Sequence, residues 1–388
     1  MNVGRSGGMI AVVVTALVGV LPLTAATASA GTVSTQATGM RILGTLGGPN
    51  SHGQDINTRG QVTGYAKTAD GQDRAFRWTA SGGMQNLGTL GGDPSYGIDI
   101  DEFGRVAGYA GTGGGTEQAF RWTASGGMQA LGTLGGDYSY PVGINNLGQI
   151  AGASADSTDN PRAFLWTASG GIRDLGTLGG PTSGASGIND LGHVTGTAER
   201  ADGYHRAFRW TASGGMQDLG TLGDQNSNVH ALAINALGHV TGTAQTAEEP
   251  AHAFLWTPSG GMRDLGQFLP TAINARGQIV GIARNSDGRG YHAVLWTASG
   301  GIQDLGGFGG SYTYAYGINE LGHIVGGSET PDGKFHAFRW TASTGMKDLH
   351  DASLGESSSA DKINLRGQIV GWQEVVPAGA FHAFLWSP

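Results

Sequence analysis

Eight copies of one phrase, Ala-Phe-Arg/Leu-Trp, run through this chain. They stand at Ala75–Trp78, Ala119–Trp122, Ala163–Trp166, Ala207–Trp210, Ala253–Trp256, Ala293–Trp296, Ala337–Trp340 and Ala383–Trp386, with Val294 replacing Phe in the sixth. The tryptophans are 44, 44, 44, 46, 40, 44 and 46 residues apart. A sustained period of this length means one supersecondary unit copied many times, because no single unit can bury its apolar face alone. Residues present in every copy are scaffold. Positions where the copies differ are where function can reside.

The unit that begins at Met128 shows the pattern. Four short strands fit it: one around Leu131, one ending at Ile144, one over Gln149–Ala153 and one over Arg162–Thr167. No window has the 3.6-residue period of a helix, and glycine every few residues would break one. Asn145-x-x-Gly148 places Asn and Gly where a type I turn wants them. The same turn recurs at Asn57, Asn189, Asn235, Asn274, Asn319 and Asn364, with Asp101 in the second unit. Thr-Ala-Ser-Gly-Gly, after most of the tryptophans, reads as a second hairpin turn.

Four antiparallel strands in about 44 residues read as a β-propeller blade. The expectation is an all-β chain, with residues 40–388 forming one propeller of about eight four-stranded antiparallel blades. Seven blades are the alternative, because the sixth and eighth units are irregular. The ends carry a further signal. Met40–Gly48 has no Ala-Phe-x-Trp before it, and Ala383–Trp386 has no Met-x-Asp-Leu-Gly after it. Each is the missing half of a hairpin, so the two ends are expected to pair and close the ring. Phe and Trp lie two apart, on one strand face, and that face is expected to pack against the next blade. The residue between them alternates between Arg and Leu, which suggests an outer edge where Arg keeps its head in water.

The amino terminus reads differently. Arg5, the apolar run from Met9 to about Leu23 and Ala28-Ser29-Ala30 make residues 1–30 a secretory signal peptide, with 31–39 a short tail. The mature chain would be 388 − 30 = 358 residues, and loss of Arg5 moves the net charge from −8 to about −9. That balance argues against a nucleic-acid partner, which wants clustered Lys and Arg. No later stretch is apolar enough to be a membrane span. There are no cysteines, which excludes disulfides and thiol chemistry. A secreted, extracellular monomer is expected.

The repeat resembles the HAF family of extracellular repeats. His-Ala-Phe stands at His252-Ala253-Phe254, His336-Ala337-Phe338 and His382-Ala383-Phe384, and as His292-Ala293-Val294. Gly-Met-x-Asp-Leu-Gly-Thr-Leu-Gly-Gly and Gly-Ile-Asn-x-x-Gly-Gln-Ile-Val-Gly follow the same family pattern over residues 40–388. The resemblance implies secretion and a propeller-like repeat, and implies no activity. The first four units depart from it, with Arg74, Gln118, Arg162 and Arg206 in place of His.

That replacement speaks against metal ligation by these histidines, and no His pair has zinc spacing. No metal, cofactor or catalytic residue is expected. No glycine run continues into a phosphate loop. Two constellations remain. The residue before the Ile of the Ile-Asn turn is Gly or Ala in five units but Asp55, Asp99 and Lys362 in the others, which closure would make consecutive. The variable rim carries Tyr96, Tyr138, Tyr140, Tyr204, Tyr291, Tyr312 and Tyr314, among acids such as Asp202, Glu248, Glu249 and Asp332. Aromatic rings among polar groups suit sugar faces or a peptide. The reading is a secreted scaffold that binds an extracellular protein or glycan on that rim. A glycan hydrolase or lyase with carboxylates at the channel is the second reading, and a structural matrix protein the third.

Overall fold

The computed structural model describes residues 39–246, 251–285, 288–376 and 379–388. The signal-peptide reading, most of the tail, and Glu248 and Glu249 therefore lie outside the described residues. All regular elements described are strands, and they pair in eight antiparallel groups of four. Unit one comprises Gly47–Ile56, Val62–Thr68, Asp73–Thr79 and Gly83–Asn86, joined in that order. Units two and three share one sheet through a parallel bridge between Tyr138 and Glu117. Unit eight comprises Ser358–Ile363, Ile369–Val375 and Ala380–Trp386, and its fourth strand is Met40–Ile42 from the other end of the chain. Met40 sits opposite Trp386 and Ile42 opposite Phe384.

The first strand of each unit is the inner one. Each inner strand touches those of the units before and after it, and Ser358–Ile363 touches Gly47–Ile56. The Ile-Asn turns join them. The Asn57 side-chain oxygen accepts from Arg59 N and Gln61 N, which shapes its own turn, while Nδ2 donates to the backbone oxygen of Asp101 in the next unit. Asn145, Asn189, Asn235, Asn274 and Asn319 make the same link to the turn that follows, and Asn364 makes it to Asn57. Asp101 has no amide to donate. Arg105 spans that gap instead, with Nε on the Asp101 carboxylate and a terminal nitrogen 2.8 Å from Asn146 O.

Phe and Trp form the seams between units, against the preceding unit rather than the following one. Phe208 and Trp210 pack on Ala151, Ala163, Leu165 and Leu175. Phe76 and Trp78 pack on Val370, Ala383 and Leu385 of unit eight. The Leu after the fourth strand, Leu175 here, donates its backbone N–H back to Ala163 O of its own unit and joins the same seam.

The Arg/Leu alternation also has a more specific basis than an outer edge. Arg77, Arg121, Arg209 and Arg339 lie over Trp122, Trp166, Trp256 and Trp386 of the following unit, 4.9–5.8 Å from the ring centroid. Their Nε atoms are buried without a hydrogen-bond partner, which fits a guanidinium held by a ring face. Where Leu385, Leu165 and Leu255 take that position, the cross-strand partners Arg41, Arg173 and Arg263 cover Trp78, Trp210 and Trp296. In these three units the cation moves one strand over and the stacking is kept, whereas Leu295 of unit six faces Gln303.

Candidate binding arc

The inner strands are longer than the sequence suggested. Gly91–Ile100 and Gly135–Ile144 are ten-residue strands that begin at the Gly-Gly pair. Gly92 allows this, because a Cβ there would lie 2.2 Å from Thr112 O. Tyr96, Tyr138 and Tyr140 are therefore strand residues, as are Tyr291 and Tyr314, and they do not sit on rim loops. Tyr204 does lie in a turn, before His205–Thr211, and joins no ring cluster among the described residues.

The other tyrosines join with residues the sequence reading did not single out. His52 faces Tyr65 across the strand pair, and Tyr96 faces Tyr109. Their rings run on from unit to unit: His52–Tyr65 at 5.5 Å, Tyr65–Tyr96 at 5.1 Å, Tyr96–Tyr109 at 5.1 Å, Tyr109–Tyr140 at 5.0 Å and Tyr140–Tyr138 at 5.3 Å between centroids. A second arm stacks Tyr312, Tyr314 and Tyr316, with Tyr291 and Phe335 beside Tyr314. Asp361 lies between the arms. Its Oδ2 is 2.5 Å from His52 Nε2, and its charge acts on Tyr316. With Nε2–H donating to Asp361, His52 Nδ1 is left to accept from Tyr65 Oη at 3.3 Å. Trp372, opposite Ser359, adds a ring in unit eight.

The arc does not run through every unit, although an imidazole pair, His205 of unit four and His230 of unit five, stands at 5.8 Å. At the places of His52 and Tyr65, unit four has Gly184 and Thr197, unit five His230 and Thr243, and unit six Leu269 and Ile282. The scaffold is the same all round, and the chemistry is not.

Carboxylates punctuate the arc. The Tyr96 hydroxyl donates to Asp73 Oδ2 at 3.2 Å and the Tyr140 hydroxyl to Glu117 Oε2 at 2.5 Å. Burial, and then these acids, push the Tyr96 and Tyr140 hydroxyls above the ordinary phenol value. Tyr109 is pushed up to about 12, by burial first and Glu117 second. Tyr316 is raised by burial and then by Asp361. The phenols are donors at neutral pH. For Tyr109 the linked stability is fully present below pH 10, the value of a free phenol, and is lost as pH rises through about 12. An ultraviolet titration is expected to show an ionisation near pH 12 that Tyr109→Phe removes. A wild-type titration complete by pH 11 would contradict it.

The sequence-predicted trio also comes together. The charges of Asp55 and Lys362 both act on Asp99. Asp55 Oδ2 accepts from Ile100 N at 3.0 Å and Asp99 Oδ2 from Ile144 N at 2.8 Å, so each carboxylate caps a backbone donor of the next inner strand. Gly143 makes room, since a Cβ there would lie 2.9 Å from Asp99 Oδ2. Desolvation, and then the neighbouring Asp55, raise Asp99 well above the usual carboxylate range. These bonds give the acids a structural task.

The His of the repeat has one too. His252, His292 and His336 each meet the Asp twelve residues on, Asp264, Asp304 and Asp348, at 2.6–2.9 Å. Arg162 meets Asp174 in the same way at 3.0 Å. Arg162 thus stands for His in the same charge pair, whereas Arg74 meets Asp93 and Arg206 donates to the backbone oxygens of Ser227 and Gln225.

No protein-family model matches the chain, and no curated protein does. Solved structures do. A post-proline cleaving enzyme from Rickettsia typhi superposes with a TM-score of 0.53 at 10% identity, over 84% of this chain and 57% of that one. A puromycin hydrolase gives 0.51 at 14% identity, over 84% and 59%. The β-propeller domain of the Trilobed protease from Pyrococcus furiosus gives 0.50 at 8% identity, over 78% and 96%. The fold is a β-propeller. The chain spans about three fifths of the first two proteins and nearly all of the third, which is a propeller domain alone. At these identities the likeness is one of fold.

Proposed function

We propose that the protein is a secreted binding scaffold of the HAF-repeat type that recognises an extended glycan along the aromatic arc. One observation carries the reading: rings continue from His52 to Tyr138 in steps of 5.0–5.5 Å across three units, while at the same strand positions unit four has Gly184 and Thr197 and unit six Leu269 and Ile282. A run of partly exposed rings with hydroxyl donors and carboxylate acceptors suits the faces and hydroxyls of successive sugars. The raised phenols favour binding over nucleophilic chemistry, because each holds its proton. Asp55 and Asp99, the carboxylates first considered for hydrolysis, are engaged by backbone donors.

The test uses protein recovered from culture medium, where its first residue is expected to be Gly31. On a glycan array Tyr96→Ala and Tyr140→Ala are each expected to weaken binding roughly tenfold, about 1.4 kcal/mol. Wild-type affinity in both variants, or the absence of any glycan ligand, would overturn the reading. Product formation in a parallel turnover assay would favour the hydrolase alternative.

A further inference from the structure

Two adjacent units carry the same acid–phenol pair with one difference. In unit one, Asp73 opens the third strand, accepts from Tyr96 and also meets Lys67 Nζ at 3.1 Å. Lys67 is the cross-strand partner of Asp73. In unit two, Glu117 opens the third strand and accepts from Tyr140, and its cross-strand partner is Gly111. An ammonium, a carboxylate and a phenol thus sit together in unit one. Unit two repeats the carboxylate and the phenol, and Glu117 has no basic partner among the described residues.

The surroundings of Glu117 suit a cation. Tyr109 and Tyr140 meet edge to face at 86°, and Tyr138 stacks on Tyr140 at 29°. Tyr138 is bridged to Glu117 through the backbone and feels the charges of Asp159 and Asp156. Ring faces attract ammonium groups, and a carboxylate beside them supplies a charge-assisted acceptor. Glu117 uses one lone pair on the Tyr140 hydroxyl and has others to offer. The chain as a whole carries a net charge of −8, which draws a cationic polymer toward it.

We propose that Glu117, with Tyr109, Tyr138 and Tyr140, binds the ammonium of an amine-bearing glycan, a chain of 2-amino sugars, taking the role that Lys67 fills internally at Asp73. The proposal rests on the arc being a glycan surface and adds the chemistry of the ligand. A sugar is favoured over a basic peptide because the rings run on from the charge site through Tyr96 and Tyr65 to His52, and successive sugar faces use such a track.

Titration calorimetry of the mature protein with three hexasaccharides separates the two levels. The probes are the fully deacetylated glucosamine hexamer, its N-acetylated counterpart and cellohexaose, at a mildly acid pH that keeps the amines charged. The amine form is expected to bind roughly tenfold tighter than the other two, a ratio a charge-assisted hydrogen bond supports. Glu117→Gln, which keeps an acceptor for Tyr140, is expected to abolish that preference. Equal binding of all three sugars would overturn the amine assignment and leave the arc standing. A preference that survives in Glu117→Gln would also overturn it. Poly-lysine binding as tightly as the amine hexamer would overturn the choice of a glycan ligand. No binding of any sugar would remove the underlying reading as well.

Discussion

A chain that begins at Gly44 is expected to lose most of the stability of one that begins at Gly39. The truncation removes the strand Met40–Ile42 from unit eight and leaves Ala380–Trp386 as an edge strand, paired on one side only. Met40, Ile42 and Leu43 are at most 9% exposed. Burial of three such side chains contributes roughly 5–9 kcal/mol at about 1.5–3 kcal/mol each. The bond from Leu43 N to Ala383 O at 2.8 Å goes as well, and so does Arg41 over Trp78. Against a usual stability of about 5–15 kcal/mol, a loss of this size is close to unfolding. Urea unfolding of the two chains, with hydrogen exchange at Ala383–Trp386, measures it. Matching midpoints and equal protection of that strand would show that the pairing of the two ends holds little.

The architecture was readable because it repeats. A fixed tryptophan spacing gave the unit, Asn-x-x-Gly and Thr-Ala-Ser-Gly-Gly gave the hairpins, and the orphaned half-hairpins gave the pairing of the ends. Links between units were not readable from a single copy. Asn57 looks complete as a turn residue, and only the fold shows its amide reaching Asp101 O one unit on. The Arg/Leu alternation looked like tolerance. Outside unit six it is an exchange, since Arg173 replaces an Arg at Leu165 from the next strand and reaches the same kind of ring.

The site was half readable. Asp55, Asp99 and Lys362 could be found by aligning the units, and they meet, but backbone donors occupy the two acids. Six of the seven tyrosines named from the sequence fall in the two arms, while Tyr204 stands apart. His52, Tyr65, Tyr109, Tyr316, Asp73, Glu117 and Asp361 were missed because neighbouring units place them side by side from distant positions. One signal was present. Asp73 and Tyr96, Glu117 and Tyr140, and Tyr291 and Tyr314 are each 23 residues apart, the step from the third strand of one unit to the inner strand of the next.

Gly326→Ala is expected to cost at least about 3 kcal/mol, in the upper range for a single methyl group added to a packed interior. A Cβ at Gly326 would lie 1.8 Å from Tyr314 O and 2.9 Å from two carbons of the Phe338 ring. The crowding is with backbone, so no rotamer relieves it. Gly326 pairs with Ala315, where the register shifts before Gly317. All eight units share the arrangement, with Gly64, Gly108, Gly152, Gly196, Gly242, Gly281 and Gly371 at 1.9–2.2 Å from the equivalent oxygen. Close approach, not a left-handed backbone, fixes glycine here. Gly333→Ala is the control. Gly333 has φ +80° and nothing within 4 Å of a Cβ, so its cost is the left-handed penalty alone, about 1–2 kcal/mol. Because Tyr314 belongs to the arc, Gly326→Ala is also expected to weaken binding at that arm, and Gly333→Ala is not. Unfolding midpoints and glycan affinity measured on both variants test this, and equal losses in the two would show that the inner strand yields easily to the added methyl.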